Sequence, residues 1–184
     1  MALLARLDTE AVQVRSPAQL EDVDALVMPG GESTTMSMLL ESSGLFDPIA
    51  DRLGAGMPVF GTCAGMILLA DTIVDGRDDQ RCFGVLDAAV RRNAYGRQVD
   101  SFEADVAVPI LETSRLGAGP FHAVFIRAPV VTRVGSQVDV LADVDGHPVL
   151  CRQGSVLAAT FHPELATDLR IHELFLSMGS SSRK

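Results

Sequence analysis

Basic charge is in short supply. Fifteen Lys and Arg face 24 Asp and Glu, a net charge of −9, which argues against a nucleic-acid-binding surface and mainly favours solubility. Charged residues of both signs reach only 21%, against 47% hydrophobic, which excludes a mainly disordered chain. Cysteine is scarce too. Cys63, Cys82 and Cys151 are widely spaced, odd in number and lack a C-x-x-C pair; this fits a reducing cytoplasm better than a disulfide framework. No apolar run approaches the roughly 20 residues a membrane helix needs. Met1–Leu7 is too short for a signal peptide and carries no cleavage pattern. A soluble, cytoplasmic protein is the expectation, and 184 residues suit one domain with a substantial core.

What is present centres on Pro58–Ala70. Pro58–Phe60 reads as a buried strand and Ala64–Ala70 as a helix, with Gly61 and Gly65 allowing the tight turn between them. Cys63 then sits on a strand-to-helix elbow, the cysteine counterpart of the G-x-S-x-G nucleophile turn. The unpaired N–H groups at the helix start should lower its thiol pKa from the free value of about 8.5. The plainer alternative, a small buried hydrophobe, stays open on this stretch alone.

The first half alternates strands with helices. Met1–Leu7 looks like the end of a helix, Ala11–Val14 a short strand and Pro17–Leu20 a helical turn. Asp24–Met28 is a buried strand that ends in Pro29-Gly30-Gly31-Glu32-Ser33-Thr34-Thr35, where Thr34 or Thr35 can cap the helix that follows. A second helix spans Phe46–Leu53. This order predicts an α/β sheet, largely parallel, with sites at the carboxyl ends of strands. Beyond a polar loop (Asp75–Gln80), strands are expected at Phe83–Arg91, Phe102–Val108, Phe121–Arg127, Val138–Val144, His147–Gln153 and Val156–Phe161. Asp168 should cap a terminal helix on which Leu169, His172 and Leu176 share a face with Phe175.

A cysteine nucleophile needs a base and a group to fix that base. His162-Pro163-Glu164 follows a predicted strand, and residues i and i+2 of an extended segment project to one side, so Glu164 can orient the His162 imidazole. His122, His147 and His172 read as structural or solvated. Gly30-Gly31 and the N–H of Ala64 offer donors for an oxyanion. The Pro29–Thr35 loop lacks the G-K-[ST] ending of a phosphate loop, and His162-x-Glu164 lacks the P-C-x-x-C of a zinc deaminase, so no metal is assigned.

PGGEST (29–34), FGTCAG (60–65) and FHPE (161–164), in that order, resemble a class I, triad-type glutamine amidotransferase. The stretches 91–103 (RRNAYGRQVDSFE) and 124–129 (VFIRAP) narrow the resemblance to the PdxT family, the glutaminase subunits of pyridoxal 5′-phosphate synthase. The resemblance runs from about Leu4 to Met178. It implies a flavodoxin-like fold with a mostly parallel central sheet flanked by helices. It further implies Cys63 as nucleophile, His162 as base and then acid, and Glu164 as orienter. Gly30, Gly31, Glu32, Ser33, Ala64, Arg92, Ile126 and Arg127 would bind L-glutamine; without it, Arg92 and Arg127 read as solvated charges. Ammonia would pass to a synthase subunit, PdxS, with no cofactor in this chain and no nucleic acid or membrane as partner. Family members begin with an apolar strand and a glutamine-glycine loop that are not found ahead of Leu3–Leu7 here, so the first strand of the sheet is expected to be missing and activity and docking reduced. A glutaminase serving another synthase, a cysteine hydrolase of similar fold and a non-catalytic binding subunit remain as alternatives.

Overall fold

The computed structural model describes residues 2–92 and 101–180, apart from the side chains of residues 2 and 180. Helices α1 (Ala2–Ala5) and α2 (Pro17–Glu21) precede strand β1 (Leu26–Met28). Helices α3 (Ser33–Ser42) and α4 (Phe46–Gly54) lead to β2 (Val59–Thr62), and α5 (Ala64–Leu69) runs directly into β3 (Ala70–Ile73). The remainder is β4 (Leu86–Arg91), β5 (Ser101–Val106), β6 (Phe121–Ile126), β7 (Val130–Val134), β8 (Asp139–Val144), β9 (His147–Gln153), β10 (Val156–Ala159) and α6 (Arg170–Ser180), with 3₁₀ turns at Pro109–Thr113 and Pro163–Leu165.

Five strands form the central sheet in the order β1-β2-β10-β9-β8. The expected parallel arrangement holds for β1, β2 and β10, whereas β9 and β8 join antiparallel. The reason is local: short turns link β8 to β9 and β9 to β10, and a short turn can only return a strand antiparallel. A three-stranded sheet (β3-β4-β7) and the β5–β6 hairpin stand beside it. The sheet is thus mixed rather than mostly parallel, and its parallel part carries the three site loops.

Side-chain alternation sends successive residues of β2 and β10 to opposite faces. Val59, Val156 and Ala158 pack with α4, α5 and the β3-β4-β7 sheet, while Phe60, Leu157 and Ala159 pack with α6 and the β5–β6 hairpin. On the second face Phe60 lies 5.7 Å from Phe175 between ring centroids. Burying each such ring stabilises the fold by roughly 1.5–3 kcal/mol.

Other departures from the sequence pattern have physical reasons. Ala11–Val14 is not a strand: Val12 is exposed and the segment pairs with no strand among the described residues, and alternation alone does not hold an isolated strand. Strand β7 went unanticipated because its five residues follow Pro129 directly and end in Arg133 and Val134, without a clear alternation. The helix after β1 is capped by Glu32 rather than by Thr34 or Thr35; its carboxylate accepts the N–H groups of both threonines at 3.1 and 2.7 Å. Asp168 does serve the start of α6, accepting the Arg170 N–H at 2.9 Å. Its carboxylate also binds the Arg170 guanidinium, which reaches on to the carbonyls of Gly119 and Pro120.

Candidate active site

Three site loops leave the carboxyl ends of neighbouring parallel strands. Residue for residue, β1 pairs with β2 (Met28 with Gly61) and β2 with β10 (Thr62 with Ala159). The loop after β1 (Pro29–Ser33), the elbow after β2 (Cys63) and the loop after β10 (Thr160–Glu164) therefore emerge side by side. The Cys63 N–H donates to the Ala159 carbonyl at 2.8 Å, which ties the elbow to the strand that delivers His162.

Cys63 has φ 51° and ψ −106°, in the half of the map that a side chain disfavours. Such a conformation costs on the order of 1–3 kcal/mol and persists only where the surroundings impose it. They do so here through Gly65. A Cβ on that residue would run into the Met28 carbonyl oxygen, so only glycine lets α5 press against the end of β1. The thiol is buried, 7% exposed, and its Sγ lies 4.0 Å from the Ile126 carbonyl oxygen.

His162 faces Cys63 across Gly30. A Cβ on Gly30 would collide with the His162 ring and stand 3.4 Å from the Cys63 Cβ, so the first loop supplies bare backbone at that point. The His162 backbone N–H donates to the Val124 carbonyl at 2.8 Å, so β6 helps to fix the histidine. Its Nδ1 lies 2.8 Å from Glu164 Oε1. The hydrogen bond to the Cys63 sulfur, then the one to Glu164, push the imidazole up to about 10, against a cost from burial. For Glu164, burial raises the carboxyl; the His162 hydrogen bond, its own backbone N–H and the charges of His162 and His172 outweigh this and leave it below the usual range.

The residues expected to bind substrate divide into three groups. Gly30, Gly31, Glu32 and Ser33 follow β1, with Gly30 next to Cys63, and Ala64 directly follows the elbow: Ser33 opens α3 and is buried, and Ala64 opens α5, where first-turn N–H groups have no helical acceptor. The Glu32 carboxylate is committed to its cap, held at about 2 by the Thr35 hydroxyl and the N–H groups of Thr35 and Thr34, so what it can offer a ligand is backbone. Arg92 is not a solvated charge. Its guanidinium donates to Thr34 Oγ1 at 2.8 Å, Gln80 Oε1 at 3.0 Å and the Asp75 carbonyl at 2.7 Å, joining the start of α3 to the 75–80 loop. Ile126 and Arg127 close the third side at the end of β6. Arg127 has φ 43° and an exposed side chain, while the Ile126 carbonyl turns toward Cys63. Asn93–Asp100, within the stretch that narrowed the resemblance, lie outside the described residues.

The remaining histidines and cysteines stand apart. His122 is on the exposed face of β6, His147 is exposed at the start of β9, and His172 is buried on α6. The sequence places His172 on the helix face shared by Leu169, Leu176 and Phe175, and the structure buries it there. Cys151 is fully buried and pushed up to about 12 by that burial, and Cys82 is raised for the same reason. Among the described residues no group of three or more His, Cys, Asp or Glu is placed to hold a metal, and no helix is long and apolar enough to cross a membrane.

A thiol on a strained strand-to-helix elbow, facing an imidazole that a carboxylate holds, is the layout of a cysteine triad hydrolase on an α/β sheet. Comparison with known proteins makes this more specific. The SNO glutamine amidotransferase family matches residues 2–181. Pyridoxal 5′-phosphate synthase subunit PdxT of Mycobacteroides abscessus is 55% identical over 178 residues, covering 97% of this chain and 89% of the relative. The same-named subunit of Frankia alni is 54% identical over 179 residues, covering 97% and 87%. A crystal structure of a glutamine amidotransferase superposes with a TM-score of 0.87 at 49% identity, covering 97% of this chain and 91% of that one. A putative GMP synthase component from Thermoplasma acidophilum, with a TM-score of 0.63 at 15% identity and 99% and 87% coverage, shares the fold alone. This chain belongs to the SNO glutamine amidotransferase family.

Proposed function

We propose that the chain hydrolyses L-glutamine and hands the ammonia to a synthase subunit (PdxS) that assembles pyridoxal 5′-phosphate. The observation that carries this reading is the Cys63–His162–Glu164 chain on the elbow of a glutamine amidotransferase fold. In the reading, the Cys63 thiolate attacks the side-chain carbonyl carbon of glutamine. The negative oxygen that develops is met by backbone N–H groups at Gly30-Gly31 and Ala64. The C–N bond then breaks, and His162, charged at neutral pH by its raised pKa, gives its proton to the departing ammonia. A γ-glutamyl thioester remains on Cys63. Neutral His162 now takes a proton from water, the hydroxide attacks the thioester carbonyl, and the C–S bond breaks to release glutamate and restore the thiolate. Glu164 keeps the imidazole oriented and stabilises its charged form throughout.

Substrate recognition in this reading falls to the Gly31–Ser33 backbone, the Ile126–Arg127 turn and Arg92. Arg127, exposed and in no ion pair among the described residues, is the better placed of the two arginines to grip an α-carboxylate. Arg92 serves by holding the loop that bears Glu32 and Ser33 against the 75–80 segment. Three free cysteines, none paired, support a reducing, cytoplasmic setting.

The test is glutamine hydrolysis followed as glutamate release, with the synthase subunit present and absent. The reading expects turnover that rises when the synthase is added, and no hydrolysis of peptide substrates. Peptide hydrolysis without a preference for free glutamine would replace it with a general cysteine hydrolase. No turnover in either condition would leave a binding subunit.

A further inference from the structure

The polar loop ahead of β4 is laced onto α3 by contacts far apart in sequence. Gln80 is half-buried, and its Oε1 accepts two hydrogen bonds, from Thr34 Oγ1 at 3.2 Å and from the Arg92 guanidinium at 3.0 Å. Arg92 also donates to Thr34 Oγ1 at 2.8 Å, so the three side chains close a triangle. One residue on, the Arg81 N–H donates at 3.0 Å to Ser37 Oγ, and Ser37 is fully buried. Thr34 and Ser37 are three residues apart and share a face of α3. The Arg81 guanidinium lies over the Phe46 ring of α4, 3.8 Å from its centroid, and pairs with Asp47 at 2.9 Å.

From Thr34 the contacts run on to the site. Thr34 donates its backbone N–H to Glu32 Oε1 at 3.1 Å, and the other Glu32 oxygen accepts the N–H and the hydroxyl of Thr35, both at 2.7 Å. Glu32 caps α3 from within the loop that carries Gly30 and Gly31, and Gly30 is the bare backbone between His162 and Cys63. A shift of Thr34 therefore moves the cap, and with it the backbone N–H groups of the loop. Gln80 Nε2 is buried and has no partner among the described residues, so the acceptor oxygen is what this side chain contributes. One of its two donors is charged, which makes the stronger kind of hydrogen bond.

We propose that Gln80 is a positioning residue for the glutamine loop: its Oε1 holds Thr34 and Arg92 together, and so sets the Glu32 cap and the Gly31–Ser33 backbone that receive substrate. The inference rests on the glutamine reading above and extends it to a loop outside the site. Arg92 spans Thr34 and the Asp75 carbonyl, the latter at 2.7 Å. A long side chain on two anchors can swing out of its bridge. The Gln80 oxygen, bonded to both members of the Thr34–Arg92 contact, prevents this.

The experiment measures kcat/KM for glutamine and Tm in the full chain with the synthase subunit present, for Gln80→Met, Gln80→Glu, Asp79→Ala and Thr34→Val, and for Gln80→Met combined with Thr34→Val. Methionine keeps the length of the side chain and removes its oxygen; glutamate keeps an acceptor for both donors. Asp79, exposed and paired with Arg77 at 2.9 Å, controls for disturbing the loop as such. A misplacement of 1 Å far from the chemistry can cost about 100-fold. Loss of one of three anchors is expected to cost less, so Gln80→Met should lower kcat/KM about tenfold with little change in Tm. Gln80→Glu and Asp79→Ala should stay close to the native chain. Gln80→Met should add little once Thr34 is Val, since members of one hydrogen-bond network are not additive. The proposal is overturned if Gln80→Met turns over like the native chain, if Gln80→Glu or Asp79→Ala is as impaired as Gln80→Met, or if the two losses add in full. If Gln80→Met fails to fold, Gln80→Asn, whose oxygen falls short of both donors, decides: native kcat/KM overturns the proposal, and a loss absent from Gln80→Glu upholds it. No glutamine turnover in the native chain would overturn the glutamine reading itself, and the proposal with it.

Discussion

Two imidazoles in this chain are held by carboxylates at nearly equal distances, in opposite surroundings. His162 Nδ1 meets Glu164 at 2.8 Å; His122 meets Asp105 at 3.0 Å through Nδ1 and Glu103 at 2.9 Å through Nε2. Both are pushed above the ordinary histidine range. The His162 side chain is 13% exposed, however, and that of His122 53%. His162 also has a thiol on a strained elbow before it and bare backbone at Gly30, while both nitrogens of His122 are spent on carboxylates. The lesson is that a histidine–carboxylate pair does not define a site. What separates the two is where the imidazole's remaining interactions go, and whether water is shut out. His122 fastens β5 to β6 at the surface, the class of ion pair that contributes little.

The contrast is broken most forcefully by removing each ring in turn. His162→Ala should abolish nearly all glutamine turnover, a fall of about 10⁴-fold or more if it acts as the base of a triad. His122→Ala should leave turnover and Tm close to those of the native chain. Comparable losses in two folded variants would mean that the hairpin histidine matters as much as the elbow one, and the contrast would collapse.

A smaller effect is expected at Arg127. If its guanidinium grips the α-carboxylate, the contact is made equally in ground and transition states, so Arg127→Ala should raise KM and leave kcat nearly unchanged. Arg92→Ala should instead disturb both constants, because the native side chain braces the start of α3. A pure KM effect at Arg92 and none at Arg127 would exchange their roles.

The smallest effect is on stability against pH. The folded His162 binds its proton more tightly than the ordinary value of 6.5 allows, at about 10, chiefly through the Cys63 hydrogen bond and then through Glu164. A raised pKa contributes stability that is complete below about pH 6.5 and lost as pH climbs through about 10. The native chain should therefore lose Tm between pH 7 and 10 more steeply than His162→Ala does. His122 is raised too, but its exposed pairs are screened by water, so its slope should be much smaller; parallel curves for native chain and His162→Ala would remove the proton from His162.

Much of this site was legible in the sequence because its parts are local. The elbow needs Gly65 four residues after Gly61, and the His162-x-Glu164 pair needs only an extended segment; both requirements show in short stretches of the chain. The parallel trio β1, β2 and β10 was legible for the same reason: each strand is a short apolar run ending in a loop with site residues. What the pattern could not reveal depends on contacts distant in sequence. Arg92 looks like a surface charge until Thr34, Gln80 and Asp75 converge on it. That the Glu32 side chain caps its own helix shows only once its carboxylate turns back on Thr34 and Thr35. The antiparallel entry of β9 and β8 follows from short turns that the alternation of strands and helices in the first half does not foreshadow.

The central claim is that Cys63, of three free cysteines, is the one built to attack a glutamine amide, and a glutamine-mimicking electrophile tests it directly. With the intact chain and the synthase subunit, one equivalent of label should appear on Cys63 alone, and excess glutamine should slow its appearance. Cys82, half-buried, and Cys151, fully buried, should stay free. Label found mainly on Cys82 or Cys151 of the folded protein, or labelling of Cys63 that glutamine does not slow, would contradict the account.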